Sequence, residues 1–415
     1  TEDRERFRAF LSSLWMTQPL GHAVKGVEEA VNTAASIGYP VLVRPSYVLG
    51  GRAMSIVWSE EELRRYIDDA ISASEGKPIL IDKYLYPAVE VDVDALSDGE
   101  DVFICGVLEH IELAGVHSGD AAMVIPPRSL SQKALERIKE YTKALALNLK
   151  VLGLINIQYA VMGDEVYVLE VNARASRTVP FLSKVINVPI AKVATKLMMG
   201  RRLRELNLPA EASHPFVAVK ESVFSFSKLP AVDPMLEPRM KSTGECMGIG
   251  RTFEEAYWKA ELAANNPIPL EGCVLLAAEG AEILEASITS ELKSMGYRLL
   301  LLCVDDDCRE LAEKIGAENV SGHLFMDEVD AAVELRKRGV VMVVDLGWWR
   351  RTSVGDVGYM LRRAAVMTGI PYITTPQGIS AALKAARWAR STNTSYMSLN
   401  ELQCCSTSYL RFSTQ

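Results

Sequence analysis

The stretch INIQYAVMGDEVYVLEVN (residues 155–172) decides the fold that the sequence predicts. Two runs rich in Val, Ile and Tyr flank the dipeptide Gly163–Asp164, and strand-forming residues around such a turn are typical of a β-hairpin. We therefore predict strands over 155–162 and 166–172. Because side chains alternate along a strand, polar residues two positions apart share a face.

The register of this hairpin carries a further prediction. Strict alternation places Glu170 on the same face as Val166 and Val168. A two-residue loop would set Leu169, rather than Glu170, opposite Gln158. Glu170 can face Gln158 only if the hairpin contains one extra residue, so we predict a three-residue loop or a bulge.

The polar residues of the hairpin are suited to binding a metal. They are Asn156, Gln158, Glu170 and Asn172. A carboxylate and amides that converge on one surface are hard oxygen ligands of the kind Mg²⁺ prefers. Arg174 and Arg177 follow directly, and a guanidinium group matches the oxygens of a polyphosphate. The competing interpretation is an exposed sheet face with a charged turn, and this segment alone leaves both open.

A second hairpin is predicted over residues 40–59, with the glycine turn VLGGR at its tip. Gly50 and Gly51 can bring backbone N–H groups close to a phosphate, and Arg44 and Arg52 flank them. No Gly-Lys-Ser/Thr sequence follows, so this is not a Walker loop. A Gly-Gly pair is more often a simple turn.

In two other segments, the polar residues have either a structural role or a role in ligand binding. VEVDVDAL (89–96) alternates, so its acidic face is either solvated or presents Glu90 to a ribose hydroxyl. His117, in the turn HSGD (117–120), is either a contact for phosphate or substrate or a structural histidine.

The composition narrows the class of protein. With 49% hydrophobic and 24% charged residues, the chain resembles soluble globular proteins. Its net charge of -8 gives no basic field for nucleic acid or anionic lipid. The seven scattered cysteines form no CxxC pair and are interpreted as reduced thiols. No apolar run approaches the ~18 residues of a membrane helix, and no signal-peptide layout is present. We expect a cytoplasmic protein that binds neither nucleic acid nor membrane.

The remaining patterns predict an α/β protein of several domains. Residues 1–40 are predicted to be helical, with a helix stop at Gly38. Residues 182–205 are also predicted to be helical, and 206–236 to be an extended connection over the surface. Beyond residue 272, apolar runs alternate with helical stretches, which predicts a parallel doubly wound sheet. Those runs are 274–278, 297–304 and 340–346.

Taken together, six segments resemble the second ATP-grasp unit of the carbamoyl-phosphate synthetase large subunit. They are GYPVLVRPSYVLGGRAM (38–54), VEVDVDAL (89–96), EHIELAGVHSGD (109–120), INIQYAV (155–161), LEVNARASRTVPFLSK (169–184) and MKSTGECMGIGRTFEEA (240–256). The resemblance covers about residues 1–265. One departure is Ala173, where the family commonly has proline.

This resemblance implies three sets of site residues. The set implied for catalysis is Arg44, Arg174 and Arg177. The set implied for nucleotide binding is Arg4, Arg44, Gly50, Gly51, Lys83, Glu90, His117 and Ser118. The set implied for the divalent metal is Gln158, Glu170 and Asn172.

Residues 271–388 resemble the methylglyoxal-synthase-like domain that follows this unit in the family. Asp305–Asp307 stand where the family has a phosphate-binding turn, and three carboxylates repel a phosphate. The resemblance thus predicts an ATP-grasp domain over 1–205 with a lid hairpin at about 40–82. It further predicts the C-terminal part of that unit and a linker over 206–270. The polar, Ser/Thr-rich composition of residues 389–415 predicts a disordered tail.

The activity implied by the resemblance is ATP-dependent phosphorylation of carbamate to carbamoyl phosphate, in pyrimidine and arginine biosynthesis. The implied cofactors are ATP and Mg²⁺ or Mn²⁺, with K⁺ as a further candidate. The implied partners are the rest of the large subunit and a glutaminase subunit. One alternative is another ATP-grasp carboxylate–amine ligase, such as a biotin-carboxylase relative. The other is a non-catalytic nucleotide-binding or assembly module, favoured by a start that reads as truncated.

Overall fold

A computed structural model describes most of the chain, and its internal contacts divide it into two compact units. The first comprises residues 1–220, 237–240 and 396–415, and the second comprises 221–236 and 241–395. The described residues are 4–45, 54–74, 76–112, 114–212, 215–229, 232–277, 286–303, 306–346 and 357–402.

The first unit begins with a small antiparallel sheet packed against two helices. Its strands are β1 (Gly21–Val24), β2 (Val41–Pro45), β3 (Ser55–Val57) and β4 (Ile79–Lys83), in the order β1-β4-β2-β3. The helices of this part are α1 (Arg4–Ser13), α2 (Val27–Ile37) and α3 (Glu60–Ala73). Leu63 and Ile67 of α3 are fully buried in a core that includes Val41 and Val43 of β2.

The predicted hairpin of β2 and β3 is confirmed, and its tip lies outside the described residues. Helix α2 ends at Gly38, where φ is 83°, a left-handed conformation that glycine adopts without strain. The prediction that all of residues 1–40 are helical is wrong. Residues 21–24 form β1, which pairs with β4.

A larger antiparallel sheet forms the rest of the first unit. Its strands are β5 (Val89–Asp98), β6 (Val102–His110), β7 (Met123–Ile125), β8 (Leu152–Met162), β9 (Glu165–Asn172) and β10 (Val217–Val223), in the order β10-β7-β6-β5-β8-β9. The helices between them are α4 (Gln132–Asn148), α5 (Val179–Val185) and α6 (Ile190–Met198). One sheet face packs against α4 and α1 in a single core. The opposite face is therefore the one on which polar side chains can gather.

Two predictions about the segments after this sheet are wrong. Residues 182–205 are not one helix, because Asn187 takes a left-handed conformation with φ of 54° and Pro189 precedes α6. Residues 206–236 are not merely an extended surface connection, because β10 lies within them and pairs with β7. Both errors arise where tertiary pairing or a local break overrides the sequence period.

Strand β10 passes into the second unit, where β11 (Gly244–Gly250) lies beside it. Helix α7 (Phe253–Ala263) follows, and the side chain of Thr252 caps it by accepting the backbone N–H of Glu255. The predicted parallel sheet is confirmed in the order β14-β13-β12-β15-β16. Its strands are β12 (Cys273–Ala277), β13 (Arg298–Cys303), β14 (Glu318–Ser321), β15 (Val340–Asp345) and β16 (Tyr372–Ile373). Its helices are α8 (Ala286–Ser294), α9 (Asp306–Ile315), α10 (Glu328–Lys337), α11 (Val357–Thr368) and α12 (Pro376–Ser391).

A buried arginine ties residues 221–236 to the parallel-sheet part of the second unit. Arg362 on α11 is 1% exposed and donates to the two carboxylate oxygens of Asp233 at 2.7 and 2.6 Å. It also donates to Asp345 at the end of β15. Burial alone would raise the pKa of Asp233, but the Arg362 guanidinium outweighs burial and lowers it. Removing Arg362 would take the guanidinium away from both carboxylates, and the loss of one member of a buried ion pair costs about 3–5 kcal/mol.

None of the helices in the described part of the chain has the length and apolar character that a bilayer crossing demands.

Glu261 on α7 gives a pH-dependent prediction. Its side chain accepts a hydrogen bond of 2.7 Å from Asn266, and burial raises its pKa to about 7 from the usual 4.5. The protonated carboxyl therefore contributes stability that is complete below the unfolded pKa and is lost as the pH rises through the folded pKa. We predict that Glu261→Gln gains about 1–3 kcal/mol relative to wild type between about pH 4.5 and pH 8.

Urea unfolding midpoints at the two pH values measure this change. Ala263→Ser, at an exposed position without a titrating group in the same helix, is the matched control and should show the same difference at both pH values. A constant difference for Glu261→Gln would contradict the raised pKa.

Candidate functional site

The hairpin of β8 and β9 contains the extra residue that the sequence predicts. The loop has two residues, Gly163 and Asp164, since Met162 pairs with Glu165. The register then shifts by one residue within the strands. The prediction of a bulge is therefore confirmed.

The bulge changes which side chains share a face. Tyr159 pairs with Val168, while the next residue of β8, Gln158, pairs with Glu170, so Leu169 is the extra residue. Val168 is buried in the core on the other side of the sheet. The expectation that Glu170 shares a face with Val168 is wrong, because a bulge moves the residues beyond it to the opposite face.

Strand β5 brings two more carboxylates to the same face. Asp92 pairs with Gln158 and Asp94 pairs with Asn156. The two aspartates are 2% and 0% exposed, so the interpretation of this strand's polar side as a solvated face is wrong. The Asn156 amide donates to Asp92 at 3.1 Å and to Asp94 at 3.2 Å, which compensates part of the cost of burying them.

The implied metal ligands lie together on this face. Gln158 and Glu170 are direct cross-strand neighbours, and Asn172 lies two pairs further along the hairpin, opposite Asn156. Gln158 donates its amide N–H to the hydroxyl of Ser118 at 2.6 Å, which leaves its carbonyl oxygen as an acceptor. Within the described residues, the side chains of Glu170 and Asn172 make no hydrogen bond or ion pair. Three accessible hard oxygens on one surface fit a divalent cation.

This donor set differs from a cluster of ionisable ligands. The described part of the chain contains no group of three or more His, Cys, Asp or Glu side chains placed to hold a metal. Gln158, Glu170 and Asn172 include a single carboxylate, so they do not form a cluster of ionisable ligands. Weakly charged oxygen sets suit an ion that is shared with substrate phosphates.

His110 joins the site, and the sequence reasoning missed it. It lies at the end of β6, with Nε2 2.8 Å from an Asp92 oxygen and Nδ1 3.6 Å from a Glu90 oxygen. Burial alone would lower the pKa of His110, but Asp92 and Glu90 outweigh burial and raise it. The alternation of β6 could have placed His110 on a polar face, but no sequence signal says that β6 lies beside β5.

Glu90, implied as an adenosine contact, is held at the start of β5. One of its oxygens accepts the backbone N–H of Gly115 at 2.9 Å. Burial raises the pKa of Glu90, against the opposing effects of His110 and Gly115. The charges of Asp92 and Glu170 raise it further, which indicates that these carboxylates share one electrostatic environment.

The turn at His117 and Ser118 packs against the metal-ligand face. His117 Nδ1 accepts the N–H of Gly119 at 2.9 Å, and Ser118 receives the Gln158 amide. Burial lowers the pKa of His117, so its neutral ring carries the proton on Nε2. A side chain at Gly119 would place Cβ 3.1 Å from Arg177 Nη1, so the arginine would have to shift by a few tenths of an ångström to accommodate it.

The arginine segment is tied to the same buried network. Thr178 donates its hydroxyl to Asp94, and the Thr178 and Ser176 hydroxyl oxygens lie 2.7 Å apart. Burial raises the pKa of Asp94 to about 6, against these hydrogen bonds. Arg174 is exposed and donates to the carbonyl of Ala175 at 3.0 Å. The loop is therefore anchored at its base while the Arg174 guanidinium faces solvent.

The other implied residues lie apart from this sheet or outside the described residues. Arg44 on β2 forms an ion pair with Asp82, with 3.3 Å between Nε and the carboxylate. Lys83 on β4 donates to the carbonyls of Gly38 and Tyr39 at 2.9 and 3.0 Å. The side chain of Arg4 and the whole of Gly50 and Gly51 lie outside the described residues.

Known proteins similar to this chain point to one family. A family model described as the ATP-binding domain of the carbamoyl-phosphate synthase L chain matches residues 3–206. The carbamoyl phosphate synthase large chain of Archaeoglobus fulgidus is 47% identical over 96% of this chain and 37% of its own length. The large chain, C-terminal section, of Methanopyrus kandleri is 44% identical over 92% of this chain and 72% of its own length. This chain belongs to the carbamoyl-phosphate synthase large-chain family.

Membership does not make the chain equivalent to a whole large chain. It spans 37% and 38% of the first two relatives. It also spans 66% of the C-terminal section of Methanocaldococcus jannaschii, at 44% identity. The activity and partners of a complete large chain are therefore taken up only as proposals.

Two solved structures that resemble this chain share much less of its sequence. One is the biotin carboxylase domain of Hydrogenobacter thermophilus 2-oxoglutarate carboxylase, at 22% identity and a TM-score of 0.45 over 54% of this chain and 51% of that one. Another is an N5-carboxyaminoimidazole ribonucleotide synthetase, at 16% identity and a TM-score of 0.49 over 63% and 70%. Nothing about the activity of this chain follows from these likenesses.

The hydrogen bond between Ser118 and Gln158 gives a testable prediction about the candidate metal site. We predict that Ser118→Ala lowers the Mg²⁺-dependent gain in ADP affinity about tenfold, because Gln158 loses the partner that orients its amide. Calorimetric titration with ADP, with and without Mg²⁺, measures that gain. Ser129→Ala, at an exposed position, should leave both affinities unchanged. An equal loss of affinity with and without Mg²⁺ would mean that Ser118 contacts the nucleotide rather than orienting Gln158.

Proposed function

We propose that this chain transfers the γ-phosphoryl group of ATP to carbamate, giving carbamoyl phosphate and ADP. The observation that carries the proposal is the oxygen set of Gln158, Glu170 and Asn172, which a bulge turns away from the core and toward one face. Family membership supports the same reaction. In phosphoryl transfer, a P–O bond to the leaving ADP breaks as the carbamate oxygen binds phosphorus, and the protein contributes mainly position and charge.

Gln158, Glu170 and Asn172 would hold Mg²⁺ or Mn²⁺, and K⁺ is a further candidate ion. When bound, the divalent ion supplies charge neutralisation for the phosphates. Ser118 supports this arrangement by fixing which end of the Gln158 amide faces the site. Asp92, next to Gln158 in the sheet, adds negative charge that favours a cation there.

Arginines would stabilise the charge on the transferred group. Arg174 and Arg177 act from a loop anchored through Thr178 to buried Asp94, and that anchor limits how far the guanidinium groups can move. Arg44 would act from β2, and Arg4 would contact the nucleotide phosphates. Preorganised charge of this kind acts on the transition state without reorganising during the reaction.

The nucleotide would be held by groups with spare hydrogen-bonding capacity. His117 has its Nδ1 occupied by Gly119, so its Nε2–H is available to donate to a phosphate oxygen. Lys83 uses two of its three N–H donors on backbone carbonyls, which leaves one for the nucleotide. Glu90 has one oxygen bound to a backbone N–H and one able to accept a ribose hydroxyl.

The hairpin of β2 and β3 would act as a lid, with Gly50 and Gly51 covering the phosphates. Closure would exclude water from a site that handles carbamate, a species lost readily in water. We further propose that 271–388 is a methylglyoxal-synthase-like domain. The remaining large-subunit segments and a glutaminase subunit would be the partners, in the cytoplasm.

The decisive experiment runs the reaction in reverse. The purified chain is incubated with carbamoyl phosphate, ADP and excess Mg²⁺, and ATP formation is followed. We expect Glu170→Gln to reduce the rate by about 100-fold or more, because an isosteric amide removes the one carboxylate of the ligand set. Glu165→Gln, at an exposed position on the same strand, is the matched control and should retain the wild-type rate.

Each outcome separates the competing functions. ATP formation that survives in Glu170→Gln would overturn the assignment of the ligand set. ADP binding without any ATP formation would point to a different acceptor, as in another carboxylate–amine ligase, or to a missing partner segment. Neither ATP formation nor ADP binding would favour a non-catalytic assembly module.

A further inference from the structure

Two cysteines meet at the carboxyl edge of the parallel sheet. Cys303 is the last residue of β13, which lies between β14 and β12. Cys308 lies in the first turn of α9, the next helix along the chain. The two residues therefore lie at the end of the strand and at the start of the helix that follows it.

The sulfur atoms are close enough for covalent chemistry. The distance between the two Sγ atoms is 2.6 Å, against about 2.05 Å in a disulfide bond. Cys308 Sγ also lies 3.3 Å from the carbonyl oxygen of Leu302. In contrast, the contacts of Cys105 and Cys246 run to backbone carbonyls, at 3.9 and 3.4 Å.

The two thiols differ in access. Cys303 is 4% exposed, whereas Cys308 is partly exposed, so Cys308 is the one that a reagent in solution reaches first. Backbone N–H groups in the first turn of a helix favour the thiolate, which is the reactive form.

We propose that Cys303 and Cys308 form a reversible intrachain disulfide, with a small-molecule disulfide as the oxidant. The Cys308 thiolate attacks the oxidant, whose S–S bond breaks to release one thiolate. The Cys303 thiolate then attacks the Cys308 sulfur and releases the second thiolate. The oxidant gains two electrons and the two cysteine protons, and the cysteines become one disulfide. This modification site is independent of the phosphoryl-transfer proposal.

The test uses the full chain equilibrated with oxidised and reduced glutathione at set ratios, followed by alkylation and tryptic digestion. Arg298 and Arg309 bracket a peptide, residues 299–309, that contains only these two cysteines. We expect this peptide to lose two hydrogen atoms in mass, to escape alkylation, and to recover both thiols on reduction.

A comparison of folded and unfolded chain makes the test specific to the fold. The equilibrium constant for closing the disulfide should be at least about tenfold larger in the native chain than in denaturing urea, which corresponds to about 1.4 kcal/mol. Cys308→Ser should abolish the intrapeptide disulfide, and Cys246→Ser, at another partly exposed position, should leave it intact. Equal constants in native and unfolded chain, or double alkylation of the peptide at every ratio, would overturn the proposal.

Discussion

A single extra residue in β9 is the constraint on which the site depends. Moving a strand by one position exchanges its two faces, so a regular hairpin could not satisfy both ends of β9 at once. Leu169 absorbs the shift. On one side of it, Val166 and Val168 fill the core, and beyond it Glu170 stands opposite Gln158. The bulge thus lets one strand contribute apolar side chains to the core of the first unit and candidate metal ligands to the opposite face.

Local signals in the sequence predicted the elements whose causes are local. The helix stop predicted at Gly38 is one of them, because the backbone of that glycine can turn left-handed and so ends α2. Strands β1 and β10 were missed because their existence depends on distant partners, β4 and β7. In β10, the side chain of Lys220 is 1% exposed, although a lysine normally indicates a position that is exposed to solvent.

At the site, the sequence predicted only those features that depend on the geometry of a single hairpin. The alternation rule predicted either a three-residue loop or a bulge, without any knowledge of the sheet, and the structure contains the bulge. They could not predict that β5 lies between β6 and β8, which is what brings Asp92 to both Gln158 and His110. Strand order is a tertiary property, and the burial of Asp92 follows from that order rather than from its own segment.

The buried pairing of Arg362 with Asp233 has a consequence for how this half of the molecule can evolve. The arginine belongs to the parallel-sheet part, and its partner lies some 130 residues earlier, in 221–236. A genetic exchange with a break between these two segments would leave Arg362 buried in the new protein with Asp345 as a counter-charge but without Asp233. The heritable module is therefore larger than the domain that the apolar runs outline, and recombination is tolerated only where both segments travel together.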